Sequence, residues 1–499
     1  MTSPFKRLPT WLLAATVGFG VTSVVQGKSV DLPKIPNRTV SILDFGGKGD
    51  GVSLNTDAFE AALAALEQKG GGKLDVPPGI WLTGPIHLRS RINLCVERGA
   101  LIKFSPAPKL YPLVLIDVKG EKEVDSTSPI SGQDLNDVAI TGGGVIDGSG
   151  DAWRPIKRGK MSDAEWKALL KSGGVVNDKG DSWWPSQEAM AGEPLVKSLR
   201  EKGSLNLADY QPAHQFLRPR MVRLIGCRKV LLQDVTVQNP PNWTLNPELC
   251  DYVSILNVQV HNSPAAQNSD ALDLESCRHA LIRDCIFDAG DDGICLKSGK
   301  DAAGRRIGVP TEDVQIEGCI VYHAHGGFTI GSEMSGGVRD VWVNNCLFMG
   351  TEIGLRFKST RGRGGVVENI HVSHVNMVDL LSDAINFDMF YGGKAPTDDT
   401  GDGGATNASP AVDEGTPQFK DIHIDHVTCR GAQNAIVLEG LPEMPIRDIF
   451  LKDIAISARS GVSVIDAEGI HFDNVQVNCQ KGPLLTQVRV KDSTLDLVK

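Results

Sequence analysis

VLLQDVTV at 230–237 is followed by VSILNVQV at 253–260, ALIRDCIF at 280–287 and VQIEGCIV at 314–321. The pattern returns as VWVNNCLF (341–348), IHVSHVNM (370–377), IHIDHVTC (422–429), IFLKDIAI (449–456) and IHFDNVQV (470–477), with a weaker copy, VAITGGGV, at 138–145. Each copy alternates apolar residues, breaks at Asn, Asp, Gly or His, and alternates again. Most copies start 21 to 34 residues after the one before. A period of two excludes helical repeats, and the interval is too short for a propeller blade of about 40 residues. Strands this short cannot bury their inward side chains alone. Stacking successive coils buries them in one continuous core and pairs their edges in parallel. The expected fold class is all-β, a single-stranded right-handed parallel β-helix over about residues 40–495.

A second strand column runs beside the first: ALDLE (271–275), GICLK (293–297), GFTIG (327–331), GLRFK (354–358), AINFD (384–388) and AIVLE (435–439). The second and fourth residues of each should point inward, among them Ile294, Leu296, Leu355 and Phe357. The third and fifth should point out. That places Asp273, Glu275, Lys297, Arg356, Lys358, Asn386 and Asp388 on one outer face, with adjacent coils roughly 4.8 Å apart. A solenoid needs capped ends, and the amphipathic run Thr56 to Leu66 suits the N-terminal one. Residues 151–213 interrupt the repeat. They carry a Ser162…Glu165 capping box and Trp153, Trp166, Trp183 and Trp184. Residues 392–418 form a second insertion, loop-like by composition.

The chain has 499 residues, 41% hydrophobic and 22% charged, with a net charge of −10. The acidic balance excludes broad nucleic-acid binding yet allows a local basic cleft for an anionic polysaccharide. Residues 1–27 read as a signal peptide. Lys6 and Arg7 form the basic segment, Trp11 to Val25 the apolar one, and Val25-Gln26-Gly27 the small-residue end. Its removal takes away two positive charges, leaving −12 on residues 28–499, the expected β-helix domain. The implied location is secreted or periplasmic, with no membrane attachment after cleavage and no later spanning segment. Among the ten Cys, Cys285, Cys319 and Cys346 take the repeat position that Val or Ile fills elsewhere. They are expected to stack as free, buried thiols.

The unusual residues sit where the second strands begin. Asn268-Ser269-Asp270 precedes ALDLE, Gly290-Asp291-Asp292 precedes GICLK, and Ala324-His325-Gly326 precedes GFTIG; Arg356 and Lys358 follow in GLRFK. Taken singly, each is ordinary: a solvated Asp turn, a structural His, a charged strand face. Their alignment on successive coils makes them a candidate site. Glycoside hydrolysis needs an acid for the leaving oxygen and a carboxylate to activate water or attack carbon. Clustered carboxylates push each other's pKa values apart. Arg356 and Lys358 suit a carboxylate-bearing sugar.

These four ordered motifs resemble the Asn-Thr-Asp, Gly-Asp-Asp, Gly-His-Gly and Arg-Ile-Lys hallmarks of glycoside hydrolase family 28, the polygalacturonase family. The resemblance runs from about residue 38 to the C-terminus. The departures are Ser269 for Thr, Ala324 for Gly and Phe357 for Ile, and none removes a reacting group. The resemblance implies Asp291 as general acid, Asp270 and Asp292 as activators of water with inversion, and His325 as support for the acid's protonation. It implies Asn268, Lys297, Arg356 and Lys358 as substrate-binding residues, with Tyr391 shaping a subsite. It implies galacturonan, pectin or oligogalacturonides as substrate and no metal or other cofactor. Exo-action from the non-reducing end, releasing mono- or digalacturonate, is expected if the 151–213 insertion folds over the groove. The alternatives are an endo-polygalacturonase, a rhamnogalacturonan-type hydrolase, a calcium-dependent pectate lyase built on the same carboxylates, and a non-catalytic polysaccharide-binding β-helix.

Overall fold

The computed structural model describes residues 30–391 and 410–498. The signal-peptide segment and residues 392–409 of the second insertion lie outside the described residues. Residues 410–417 are loop, and extended chain resumes at Gln418.

The repeats form stacked parallel strands. The column that carries the site comprises β1 (Val222–Ile225), β2 (Leu245–Glu248), β3 (Leu272–Glu275), β4 (Ile294–Lys297), β5 (Gly326–Ile330), β6 (Ile353–Lys358), β7 (Asp383–Asp388) and β8 (Asn434–Glu439). Each pairs with the next in parallel, as in Leu272↔Ile294↔Phe328↔Leu355↔Ile385↔Ile436. The fold is the expected right-handed parallel β-helix.

The break inside each repeat now has a physical cause. Asp234, Asn257, Asp284, Gly318, Asn345, His374, His426, Asp453 and Asn474 all take φ between 49° and 66°. Each coil must turn sharply there through the left-handed region. Gly enters that region freely, and Asn, Asp and His enter it more readily than β-branched residues. The coil therefore bends at the repeat's fifth residue, and the bends stack.

Ile294, Leu296, Leu355 and Phe357 are fully buried in the core. Phe357 stacks on Phe387 at 4.2 Å between ring centroids and meets Phe328 edge-on at 6.2 Å. Cys285, Cys319 and Cys346 are buried free thiols. The N-terminal helix α1 (Thr56–Gln68) buries Phe59, Ala62, Leu63 and Leu66 against the first coils. Those coils begin earlier than the repeat is visible: Gly72–Val76 and Ile92–Val96 pair in register beneath Ala139–Thr141.

The 151–213 insertion has its own small architecture. Helix α2 (Asp163–Lys171) starts at the expected Ser162/Glu165 capping box. Helix α3 (Gln187–Glu201) follows a three-stranded antiparallel sheet of Ile156–Lys157, Val175–Val176 and Ser182–Trp184. The insertion packs on an antiparallel hairpin, Leu113–Val118 with Glu121–Ser126, through Leu113, Val124, Val196, Tyr210 and Leu217. Its tryptophans are not an exposed contact surface. Trp153 is buried edge-on to Tyr111 at 5.4 Å, and Trp183 is buried with its indole N–H on the Gly173 carbonyl. Arg223 on β1 ties the hairpin to the solenoid, reaching Glu123 at 3.0 Å, Asp125 at 3.2 Å and Glu248 at 3.0 Å. Among the described residues, no helix is long and apolar enough to cross a membrane.

Candidate active site

The turns before β3, β4 and β5 are stapled together by backbone bonds. Thr244 N–H donates to Asp270 O at 2.9 Å, Ala271 N–H to Asp292 O at 2.9 Å, and His325 N–H to Asp291 O at 2.8 Å. Ser269 keeps the hydroxyl that Thr would supply: its Oγ accepts the Gly290 N–H at 3.1 Å and donates to Ala266 O at 3.0 Å. Gly290 is required by close approach, since a Cβ there would lie 2.4 Å from Ala266 O. Ala324 fits because its φ is not positive; the left-handed residue of that turn is His323.

Stacking brings one carboxylate oxygen from each of Asp270, Asp291 and Asp292 within 4.8 Å of the others. Asp292 is 1% exposed. It accepts from Lys358 Nζ at 2.7 Å and from Arg356 Nη1 at 3.4 Å. Burial works to raise its pKa, but Lys358, Arg356 and Lys297 together hold it well below the usual carboxylate range. Asp270 is buried with an oxygen that lacks a hydrogen-bond partner among the described residues. Burial, reinforced by Asp273 and Asp291, pushes its pKa well above the usual range. Asp291 is the most open of the three, with its side chain 19% exposed. Burial alone would raise it; the bond from His325 Nδ1, at 3.2 Å, and the charge of Lys358 together lower it. Burial thus favours the neutral form at Asp270, while the surrounding cations favour the ionised form at Asp292.

The expected binding residues gather around these acids. Asn268 takes φ of 52° and accepts from Arg218 Nη2 at 2.8 Å. Tyr391 is 40% exposed, with Lys358 Nζ 5.2 Å and Arg356 5.8 Å from its ring centroid. Lys297 is nearly buried, 3.4 Å from Asp273 and 3.1 Å from Glu333, and 4.3 Å from the Trp243 ring. The outer strand face is therefore less open than alternation suggests. Asp273, Glu275, Lys297, Lys358 and Asn386 point away from the apolar core, yet all are at least nine-tenths buried. Neighbouring coils and the added segments cover them.

Sequence reasoning missed Lys160, Arg218, Arg220, Trp243 and Glu333. Lys160 comes from the insertion and places Nζ 2.9 Å from His325 Nε2. The insertion does reach the catalytic coils, through a lysine rather than through tryptophan. Beside the acids lies a pocket of about 470 Å³. The hairpin, the end of α3 at Arg200, the helix Asp301–Ile307 and the ends of β2 and β3 enclose it.

The sequence profile of glycosyl hydrolases family 28 matches residues 206–479, more than half of the chain. The chain belongs to family 28, the polygalacturonase family. This family-28 hydrolase is similar to a hyperthermoactive exopolygalacturonase from Thermotoga maritima, with 34% identity, a TM-score of 0.75, and 90% of this chain and 94% of that one covered. It is 26% identical to a probable polygalacturonase of Vitis vinifera over 89% of this chain and 81% of the relative. It is 25% identical to an exo-poly-alpha-D-galacturonosidase of Dickeya chrysanthemi over 88% of this chain and 70% of the relative.

Proposed function

We propose that this enzyme hydrolyses α-1,4-galacturonosidic bonds of polygalacturonate and pectin with inversion, acting from the non-reducing end. The observation that carries the chemistry is the cluster of Asp270, Asp291 and Asp292 with Lys358 and Arg356 on Asp292. Asp291 is the general acid, because it is the carboxyl most open to a glycosidic oxygen. A galacturonate carboxylate that meets Arg356 and Lys358 offsets the pull of Lys358 on Asp291. Binding therefore favours the protonated form of Asp291. Asp291 gives that proton to the leaving oxygen as the C–O bond breaks. Water, oriented by Asp270 and Asp292, bonds to the anomeric carbon and loses its proton to ionised Asp292.

The carboxylates are closer than in most inverting sites, where a separation of roughly 6.5–9.5 Å leaves room for water. Retention, however, needs a carboxylate that is both ionised and free to attack carbon. Asp292 is clamped by two cations and buried, and Asp270 is buried as well. Water activation fits this pattern better. Both oxygens of Asp292 already accept from cations, which disfavours the lyase alternative.

Exo-action is supported by the insertion contact at His325 and by the pocket walled by the hairpin and the end of α3. A chain end enters that pocket, and the rest of the polymer leaves past Tyr391. The N-terminal segment supports export to the periplasm or beyond. Exo-action predicts small products released steadily from polygalacturonate while viscosity is nearly held. A rapid viscosity fall at few new reducing ends would show endo-attack and defeat this part of the proposal.

A further inference from the structure

The pocket beside the acids holds side chains that the hydrolytic step does not use. Arg220 makes both of its hydrogen bonds among the described residues through Nη1, to Asn246 Oδ1 at 3.2 Å and Glu248 Oε2 at 3.3 Å. Its guanidinium is held 4.5 Å from the Trp243 ring centroid. The other edge of the fork, Nε and Nη2, has no hydrogen-bond partner among the described residues. Glu275 lines the same pocket at 9% exposure, and its Oε2 has no hydrogen-bond partner among the described residues. A buried polar atom without a partner is costly unless a ligand or water completes it. Burial and the neighbouring Glu248 push the Glu275 carboxyl up to about 7, so it can donate as well as accept. Lys297 joins the pocket to the reacting centre, since it contacts Trp243 and Glu333 on one side and Asp273 on the other.

We propose that this pocket is the subsite for the terminal uronate of the substrate: the free Nε/Nη2 edge of Arg220 pairs with its carboxylate, and Glu275 hydrogen-bonds a ring hydroxyl. A planar fork facing a carboxylate gives two parallel charge-assisted bonds that an ammonium cannot reproduce. The ring of Trp243 fixes the fork's plane. The assignment rests on the exo-hydrolase reading above and adds the groups that recognise the chain end.

The test compares wild type, Arg220→Gln, Arg220→Lys, Glu275→Met and Glu275→Gln on trigalacturonate and on its methyl ester. Arg220→Gln is expected to raise KM for trigalacturonate about ten-fold or more, with kcat within about three-fold. It should also flatten the preference for the free acid over the ester. Arg220→Lys should recover only part of this, and Glu275→Gln should bind better than Glu275→Met. Arg223 still pairs Glu248 in the Arg220 variants, and an unchanged melting temperature identifies folded protein. Unchanged KM and ester preference in folded Arg220→Gln, or equal KM for both Glu275 variants and wild type, overturns the subsite. No cleavage of either substrate by wild type would instead overturn the hydrolase reading itself.

Discussion

Asp291→Asn is expected to cut turnover on polygalacturonate by about 10²–10⁴-fold while leaving the fold unchanged. Asp291 is the most open of the three acids and carries little of the core, so its loss removes a proton donor without unmaking a coil. The acid role has a sharper signature than inactivity. An aryl galacturonide with a good leaving group needs little protonation, so Asp291→Asn should recover much of its rate on that substrate. Asp270→Asn should be as impaired on the aryl substrate as on polygalacturonate, because water activation is needed in both cases. Rates on both substrates, with circular dichroism to confirm folding, check this. Recovery by Asp270→Asn in place of Asp291→Asn would exchange their roles, a contrast sharpened by the raised pKa of Asp270.

Lys358→Ala is expected to damage more than substrate binding. Lys358 contacts Asp292 at 2.7 Å with both side chains nearly buried. Removing one partner of such a pair leaves a buried charge and typically costs about 3–5 kcal/mol; Arg356, at 3.4 Å, keeps the loss toward the lower end. Asp292 has a depressed folded-state pKa, so its contribution to stability is present above the ordinary Asp value of about 4 and fades as pH falls below it. The destabilisation of Lys358→Ala should therefore be largest near neutral pH and shrink in acid. Without Lys358 the pKa of Asp292 rises, so the acidic limb of the kcat/KM profile should move to higher pH. Denaturant titrations at pH 7 and pH 3, with a pH–rate profile, test both parts. An acidic limb that stays in place would show that Lys358 does not hold Asp292 ionised.

The fold was legible because its local requirement is periodic. The alternation gave the strands, and the Asn, Asp, Gly or His at the fifth repeat position marked a bend that needs positive φ. The early coils at Gly72–Val76 and Ile92–Val96 were not legible, since they bend at other residues and keep no matching fifth position. The catalytic acids were legible because they share one place on successive coils. Lys160, Trp243 and Glu333 were not, because they enter from an insertion, a turn and a loop outside the strand register. Arg218, Arg220 and Arg223 carried a weak signal, three arginines within RPRMVR at the exit of the insertion. The structure divides them: Arg218 holds Asn268, Arg220 edges the pocket, and Arg223 anchors the hairpin. The tryptophans misled in one respect: Trp153 and Trp183 are buried, and the reach to His325 falls to Lys160.

The central claim is that Asp270 and Asp292 direct water, with no carboxylate attacking the sugar. Proton NMR of the first minutes of polygalacturonate digestion tests it directly. Inversion of an α-linkage predicts that the β-anomer of the new reducing end appears first and the α-anomer grows in only by mutarotation, with no vinyl signal from an unsaturated uronide. Initial appearance of the α-anomer, or of the vinyl signal, would contradict the account.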